Sequence, residues 1–200
     1  RAFHVSDLTS GQVLAQHKAD ERVEPASLTK LMTAYLAFGA LREGRLAPAQ
    51  QVQISAHARN APGSRTFLEE GSSVSVDTLL RGMVVHSGND ACIALAEVLA
   101  GSEPQFAEQM NREAARLGLR DTRFANATGL PHPQHYSTAR DLARLAAALI
   151  RDFPEEYARY YPLKEFSHNG ITQMNRNRLL WLDPSVDGVK TGFTEAAGYG

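Results

Sequence analysis

The sequence predicts an α/β fold in which an antiparallel sheet is flanked by helices, with a mostly helical subdomain inserted into the sheet part. Three observations predict it. Strand patterns stand at both ends of the chain, with a long helical stretch between them. Asn169-Gly170 separates two short β-patterned runs, which is the strongest local hairpin signal. The first helix is apolar around almost its whole circumference, the pattern of a helix enclosed by other elements.

Taken in order, Phe3, Val5 and Asp7 alternate with other residues, Thr9-Ser10-Gly11 supplies a turn, and Val13-Leu14-Ala15 returns as a second strand. Pro25 punctuates the chain and a helix begins near Ser27, carrying Leu28, Leu31, Met32, Tyr35, Leu36 and Phe38. Residues 42–72 hold charges and loop formers. A helical region over about 76–100 is interrupted at Gly82 and at Ser87-Gly88, which predicts two helices joined by a short exposed loop. Pro104 opens the next helix and Gly118 stops it; Ser137-Thr138 caps another that carries Leu142, Leu145, Ala146 and Leu149. Lys164 to Ser167 and Ile171 to Met174 form the Asn-Gly hairpin, and residues 186–191 read as a further strand. The helical insert is placed at about 42–160 of a single domain spanning 1–200.

Composition narrows the function classes. Two hundred residues, 43% of them hydrophobic, can bury a core, and 21 basic against 22 acidic residues leave no basic stripe for nucleic acid. No apolar run approaches the roughly 18 residues of a membrane span. No leader segment opens the chain, so one is expected to be absent or already removed. The single cysteine, Cys92, excludes an internal disulfide.

Three short motifs carry chemistry. In Ser27-Leu28-Thr29-Lys30 a helix puts residues i and i+3 on one face, within reach of each other. A serine hydroxyl is a poor nucleophile without a base, and a desolvated neutral lysine can serve as that base. Ser87-Gly88-Asn89 falls in the break between helices, where a hydroxyl can relay a proton and an amide can hold a carbonyl. Lys190-Thr191-Gly192 ends a strand; a cation and a hydroxyl there suit a carboxylate, and glycine lets a substrate backbone lie alongside. Alone, each has an ordinary structural account as a helix cap, a helix stop or a turn. Together and in this order they form the signature set of penicillin-binding proteins and class A β-lactamases.

The chain resembles the low-molecular-mass D-alanyl-D-alanine carboxypeptidases, which have a β-lactamase/transpeptidase-like fold. The resemblance runs through Ser10-Gly11-Gln12-Val13-Leu14, Pro25-Ala26-Ser27-Leu28-Thr29-Lys30 and Ser87-Gly88-Asn89-Asp90-Ala91-Cys92. It continues in Asn126-Ala127-Thr128-Gly129-Leu130-Pro131, Asn175-Arg176-Asn177 and Val186-Asp187-Gly188-Val189-Lys190-Thr191-Gly192. It implies Ser27 as the acylated nucleophile, Lys30 as its base, Ser87 as a proton shuttle and Asn89 as a holder of the substrate amide. It further implies Lys190 and Thr191 for the terminal carboxylate, Ser27 and Phe193 backbone N–H groups as an oxyanion hole, and Arg176 as a cleft-lining cation. The implied substrate is a peptidoglycan stem peptide ending in D-Ala-D-Ala, β-lactams are covalent inhibitors, and neither cofactor nor metal is needed. The implied location is periplasmic, at the outer face of the cytoplasmic membrane, with attachment through a C-terminal region outside these residues.

Two departures stand out. Phe193 occupies the place where some relatives carry histidine, and the chain stops at Tyr199-Gly200, where the family continues through two more strands bearing a carboxylate-binding arginine. The sequence therefore reads as a fragment, with Arg1 falling inside the first strand. Among other residues, His132 and His135 lack a third ligand and read as a surface loop, Cys92 as a small core residue, and Glu155, Glu156 and Glu165 as solvated charge. Three rivals remain: a D,D-endopeptidase, a class A β-lactamase and a non-catalytic penicillin sensor. The lactamase needs a glutamate followed four residues later by asparagine; Glu165 and Asn169 have that spacing but flank a hairpin turn.

Overall fold

The computed structural model describes residues 2–200. Arg1, assigned above to the first strand, lies outside the described residues. The chain opens with the hairpin of β1 (Phe3–Ser6) and β2 (Val13–His17), paired antiparallel with Val5 opposite Ala15. A 3₁₀ helix over Ala26–Thr29 leads into α1 (Lys30–Arg42). The short pair β3 (Gln51–Gln53) and β4 (Ser73–Ser75) brackets α2 (Ala56–Arg59). Then come α3 (Val76–Val85), α4 (Asn89–Ala100), α5 (Glu103–Arg116), α6 (Ala139–Asp152) and α7 (Pro154–Tyr160). The chain closes with β5 (Glu165–His168), β6 (Ile171–Met174), α8 (Leu179–Leu182), β7 (Phe193–Thr194) and β8 (Gly198–Tyr199). The strands form four two-stranded antiparallel sheets, each between neighbours in sequence.

The core forms around α1. Leu31, Met32, Ala34, Ala37, Phe38 and Ala40 are all at most 2% exposed, so every face of this helix is covered. It packs against α3, α4, α5 and α6, and the small alanines let those helices approach closely. Phe38 stacks on Tyr160 at 5.7 Å and Tyr35 meets Phe153 edge-on at 4.8 Å. Truncating one such buried aromatic typically costs about 3–5 kcal/mol. Caps follow the expected chemistry: Ser75, Ser102 and Thr138 each accept a backbone N–H three residues on, opening α3, α5 and α6.

Several expectations change. Only Ser87-Gly88 breaks the helical region; Gly82 stays inside α3, where a Cβ would collide with the Thr66 side chain. Residues 42–72 contain β3 and α2 rather than loop alone. Residues 186–191 are not a strand. No ladder partner lies beside them among the described residues, and their groups bond elsewhere. The Gly188 carbonyl accepts from the Asn177 amide at 2.8 Å and the Asp187 carboxylate from the Tyr157 hydroxyl at 2.8 Å. His135 is buried, not on a surface loop, and Glu156 is partly covered and faces Arg42 at 3.6 Å. Cys92 is a fully buried core residue, as its sequence context suggested, and burial pushes its thiol up to about 12.

Candidate active site

The backbone at the start of α1 is constrained before any side chain acts. Ala26 has φ +47°, a left-handed conformation that costs energy for a residue with a Cβ. Its carbonyl lies against Gly129, itself at φ +87°, where a Cβ would overlap the Ala26 oxygen. Only glycine fits there. The following 3₁₀ turn brings Ser27 and Lys30 onto one edge, since i and i+3 eclipse in that geometry.

Lys30 is 1% exposed, and its Nζ has three neighbours at bonding distance: Asn89 Oδ1 at 2.7 Å, the Thr128 carbonyl at 2.7 Å and Ser27 Oγ at 3.1 Å. Two of these oxygens can only accept. A neutral amine has two N–H bonds and one lone pair, so it can satisfy both acceptors and still present the lone pair to the Ser27 hydroxyl. Burial lowers the Lys30 pKa from its ordinary 10.5, favouring that neutral form. The arrangement can therefore take a proton from Ser27 without rearranging.

The loop that supplies the Thr128 carbonyl is knotted by Asn126, whose Oδ1 accepts from the N–H groups of Thr128 and Gly129 at 3.1 and 2.8 Å. Thr33 Oγ1 donates to the Ala127 carbonyl at 2.7 Å and Glu103 accepts its N–H at 3.0 Å. This carbonyl was missed at the sequence level. A backbone acceptor has no residue-type signature, although Asn126-Ala127-Thr128-Gly129 marks the turn that holds it.

Ser87 sits at φ +65° between α3 and α4, 2% exposed, and its hydroxyl has no hydrogen-bond partner. An unpaired buried polar group costs about 1–3 kcal/mol, so such a group calls for an explanation in function. Asn89 begins α4 with both ends of its amide engaged: Oδ1 receives Lys30 and Nδ2 donates to the Pro62 carbonyl at 2.7 Å. In this state it fixes the lysine, and the second Nδ2–H, not given to Pro62, is the donor available for a substrate carbonyl. Asp90, also buried, is consumed by the backbone N–H groups of Thr66, Leu68 and Ala91.

Lys190 is half-buried and donates to the Thr191 carbonyl at 2.7 Å. Burial, joined by the nearby Lys30, pushes its pKa down to about 7, so an arriving carboxylate would draw it back to the charged form. Gly192 lies against the start of α1, where a Cβ would come within 3.3 Å of the backbone nitrogens of Ser27 and Leu28. Gly192 and Gly200 exchange both N–H···O bonds, at 2.8 and 2.9 Å. Alternation along an antiparallel pair then turns the Phe193 N–H away from β8, on the edge where β7 packs against the 3₁₀ helix. The Phe193 ring is 54% exposed and lies 4.6 Å from Tyr199. Arg176 is exposed; its guanidinium charge reaches both lysines and helps keep their pKa values low. Glu165 opens β5 and faces solvent. Among the described residues no group of three His, Cys, Asp or Glu is placed to hold a metal ion.

His135 supports the site from beneath. Its Nδ1 accepts the Ala125 N–H at 3.2 Å, leaving Nε2–H to donate to Thr29 Oγ1 at 2.8 Å. Burial pushes its pKa down to about 4 from an ordinary 6.5. The unfolded chain therefore binds the proton first as pH falls, and stability is lost between those two values, on the order of 3 kcal/mol in all. Thermal unfolding from pH 7 down to about 4.5 should show the midpoint falling more steeply in the native protein than in His135→Gln, which cannot titrate. Parallel slopes would clear His135 of the effect.

A serine hydroxyl facing a buried amine, on a helical core with antiparallel hairpins around it, defines a class: the active-serine enzymes of the transpeptidase-like fold. Within that class, the sequence model of the D-alanyl-D-alanine carboxypeptidases, peptidase family S11, matches residues 1–200, and the chain belongs to this family. It is 48% identical over 206 residues to the D-alanyl-D-alanine carboxypeptidase DacC of Escherichia coli, covering 100% of this chain and 51% of that protein. Penicillin-binding protein 5 from Haemophilus influenzae superposes with a TM-score of 0.96 at 46% identity, over 99% of this chain and 58% of the other. Penicillin-binding protein D2 from Listeria monocytogenes, in its cefotaxime-bound form, superposes at 0.87 with 31% identity, over 99% and 81%. The chain spans about half the length of the curated relatives it matches.

Proposed function

We propose that the protein is a serine D,D-carboxypeptidase that removes the terminal D-alanine from peptidoglycan stem peptides through an acyl-Ser27 ester. The observation that carries this reading is the buried Lys30 amine with Ser27 Oγ at 3.1 Å and two carbonyl-type acceptors occupying its N–H bonds. Ser27 Oγ attacks the penultimate D-alanine carbonyl while its proton passes to Lys30 Nζ. The backbone N–H groups of Ser27 and Phe193 receive the developing oxyanion. As the C–N bond breaks, the leaving amine takes a proton through the Ser87 hydroxyl, whose unpaired state leaves it free for that relay. Lys190 and Thr191 bind the terminal carboxylate, with Arg176 adding positive charge at the cleft, and Asn89 holds the substrate amide through its second Nδ2–H. Water then hydrolyses the ester.

Residues 1–200 would act as one catalytic domain with a helical insert at about 42–160, working outside the cytoplasm on the cell wall. A membrane-attaching region would lie beyond these residues. β-Lactams would acylate the same serine. The β-lactamase reading is disfavoured, because its candidate deacylating carboxylate, Glu165, points to solvent from a hairpin, and Asp90 is already bound by backbone N–H groups. The experiment that tests the reading measures D-alanine release from a D-Ala-D-Ala peptide beside penicillin hydrolysis, using the complete protein. Peptide turnover with a penicilloyl adduct that persists for minutes is the expected pair. Labelling without D-alanine release would make it a sensor, and rapid repeated penicillin hydrolysis would make it a lactamase.

A further inference from the structure

His86 closes α3, immediately before Ser87, and none of the roles above uses it. Its imidazole bridges two elements: Nδ1 lies 3.4 Å from the Met174 carbonyl at the end of β6, and Nε2 lies 3.4 Å from the Arg176 guanidinium. Both partners are chemically one-sided. A guanidinium can only donate and a carbonyl can only accept, so Nε2 must carry the lone pair and Nδ1 the proton. The ring is neutral, in one defined tautomer.

Arg176 has no other hydrogen-bond partner among the described residues. Its backbone, by contrast, is pinned on both sides. Asn175 Nδ2 donates to the Leu163 carbonyl at 2.9 Å, and Asn177 Nδ2 donates to that of Gly188 at 2.8 Å. A long, exposed side chain on a fixed backbone keeps its rotamer freedom unless something holds its tip. The imidazole is the group that does.

We infer that His86 is a positioning residue, which as a neutral acceptor holds Arg176 toward the cleft for the carboxylate of the peptide, and which releases Arg176 on protonation. The inference rests on the carboxypeptidase reading for its ligand, though not for the His86–Arg176 contact itself. Charged groups reach the ring from three elements: Arg176 after β6, Lys190 before β7 and Asp90 on α4. Burial lowers the pKa of the ring most, the Met174 carbonyl opposes it, and the two cations outweigh the one carboxylate, so the ring stays neutral near pH 7. Acidification gives Nε2 a hydrogen that faces the guanidinium, removes the acceptor and places three positive groups together. Carboxylate recognition then weakens through KM, not through the Ser27–Lys30 chemistry.

The first test is spectroscopic and needs no turnover. In the ¹⁵N-labelled complete protein, with His86 assigned by the signals lost in His86→Gln, the ring is expected as the Nδ1–H tautomer at pH 7, titrating below 6.5. Arg176→Gln should raise that pKa by removing a nearby cation. An Nε2–H tautomer, or a His86 pKa unmoved in Arg176→Gln, overturns the inference. The second test is kinetic. His86→Leu is expected to raise KM for a D-Ala-D-Ala peptide by about tenfold, as for one lost hydrogen bond to a charged group, with kcat within about twofold. His86→Gln, whose amide oxygen still accepts from Arg176, should restore KM at pH 7 and abolish its rise at pH 5.5. Wild-type KM in His86→Leu contradicts the positioning role. If the complete protein releases no D-alanine, the activity reading fails while the tautomer and pKa arms still decide the contact.

Discussion

Ser27→Ala is expected to abolish both D-alanine release and covalent labelling by penicillin, because the proposed mechanism uses one oxygen as the nucleophile in both reactions. The two neighbouring hydroxyls are not placed to substitute. Thr29 Oγ1 is buried against His135 at 2.8 Å, and the Ser87 hydroxyl follows a different turn with no base bonded to it. The fold should survive, since Ser27 is half-buried at a rim and, among the described residues, its side chain bonds only to Lys30. Changes at such positions usually stay within about 0.5 kcal/mol. An unchanged unfolding midpoint alongside zero labelling is thus the full expected result. Labelling near the native level would place the nucleophile elsewhere.

Lys30→Arg is expected to be nearly as damaging, and for a different reason. Arginine keeps positive charge but cannot give up a proton at accessible pH, so it cannot accept one from Ser27. The planar guanidinium also mismatches a pocket whose three oxygens converge on one nitrogen at 2.7, 2.7 and 3.1 Å. Loss of a positioned base typically costs 10²–10⁴-fold, and penicillin acylation rates should fall by about that factor. The native protein should show the same dependence through pH. The Lys30 pKa is lowered by burial, so the reactive neutral amine persists below the ordinary lysine range, and acylation falls as pH drops through the depressed value. Stopped-flow acylation across pH checks both points. A pH-independent rate, or an active arginine variant, would mean that only charge is required at this position.

The Ser27–Lys30 pair was legible because residue type and spacing coincide: a hydroxyl and an amine at i and i+3, followed by the apolar run of α1. Ser87 and Lys190 stand out in the sequence by their place in an ordered set of motifs, and their roles remain part of the proposal. The hairpin of β5 and β6 announced itself through Asn169-Gly170, and Thr138 through its capping chemistry. What escaped depends on partners distant in sequence. β3 and β4 are three residues each, too short for alternation to register. Residues 186–191 read as a strand, but they have no ladder among the described residues, and their polar groups bond to side chains of Asn177 and Tyr157. His135 sits in a proline-containing loop that reads as surface; only the closure of that loop over Thr29 buries it. The engagement of the Asn89 amide by Lys30 and the Pro62 carbonyl likewise has no trace in local sequence.

The proposed function depends on Ser27 Oγ being the atom that forms the ester, and peptide mapping of the penicillin adduct tests this most directly. Trypsin cuts after Arg22 and Lys30, so the peptide of residues 23–30 carries Ser27 and Thr29 as its only hydroxyl side chains. After brief exposure of the complete protein to penicillin and acid quenching, the account expects one penicilloyl group per chain, confined to this peptide and located on Ser27 by fragmentation. A penicilloyl group on Thr29, on the peptide containing Ser87, or on none of these would contradict it.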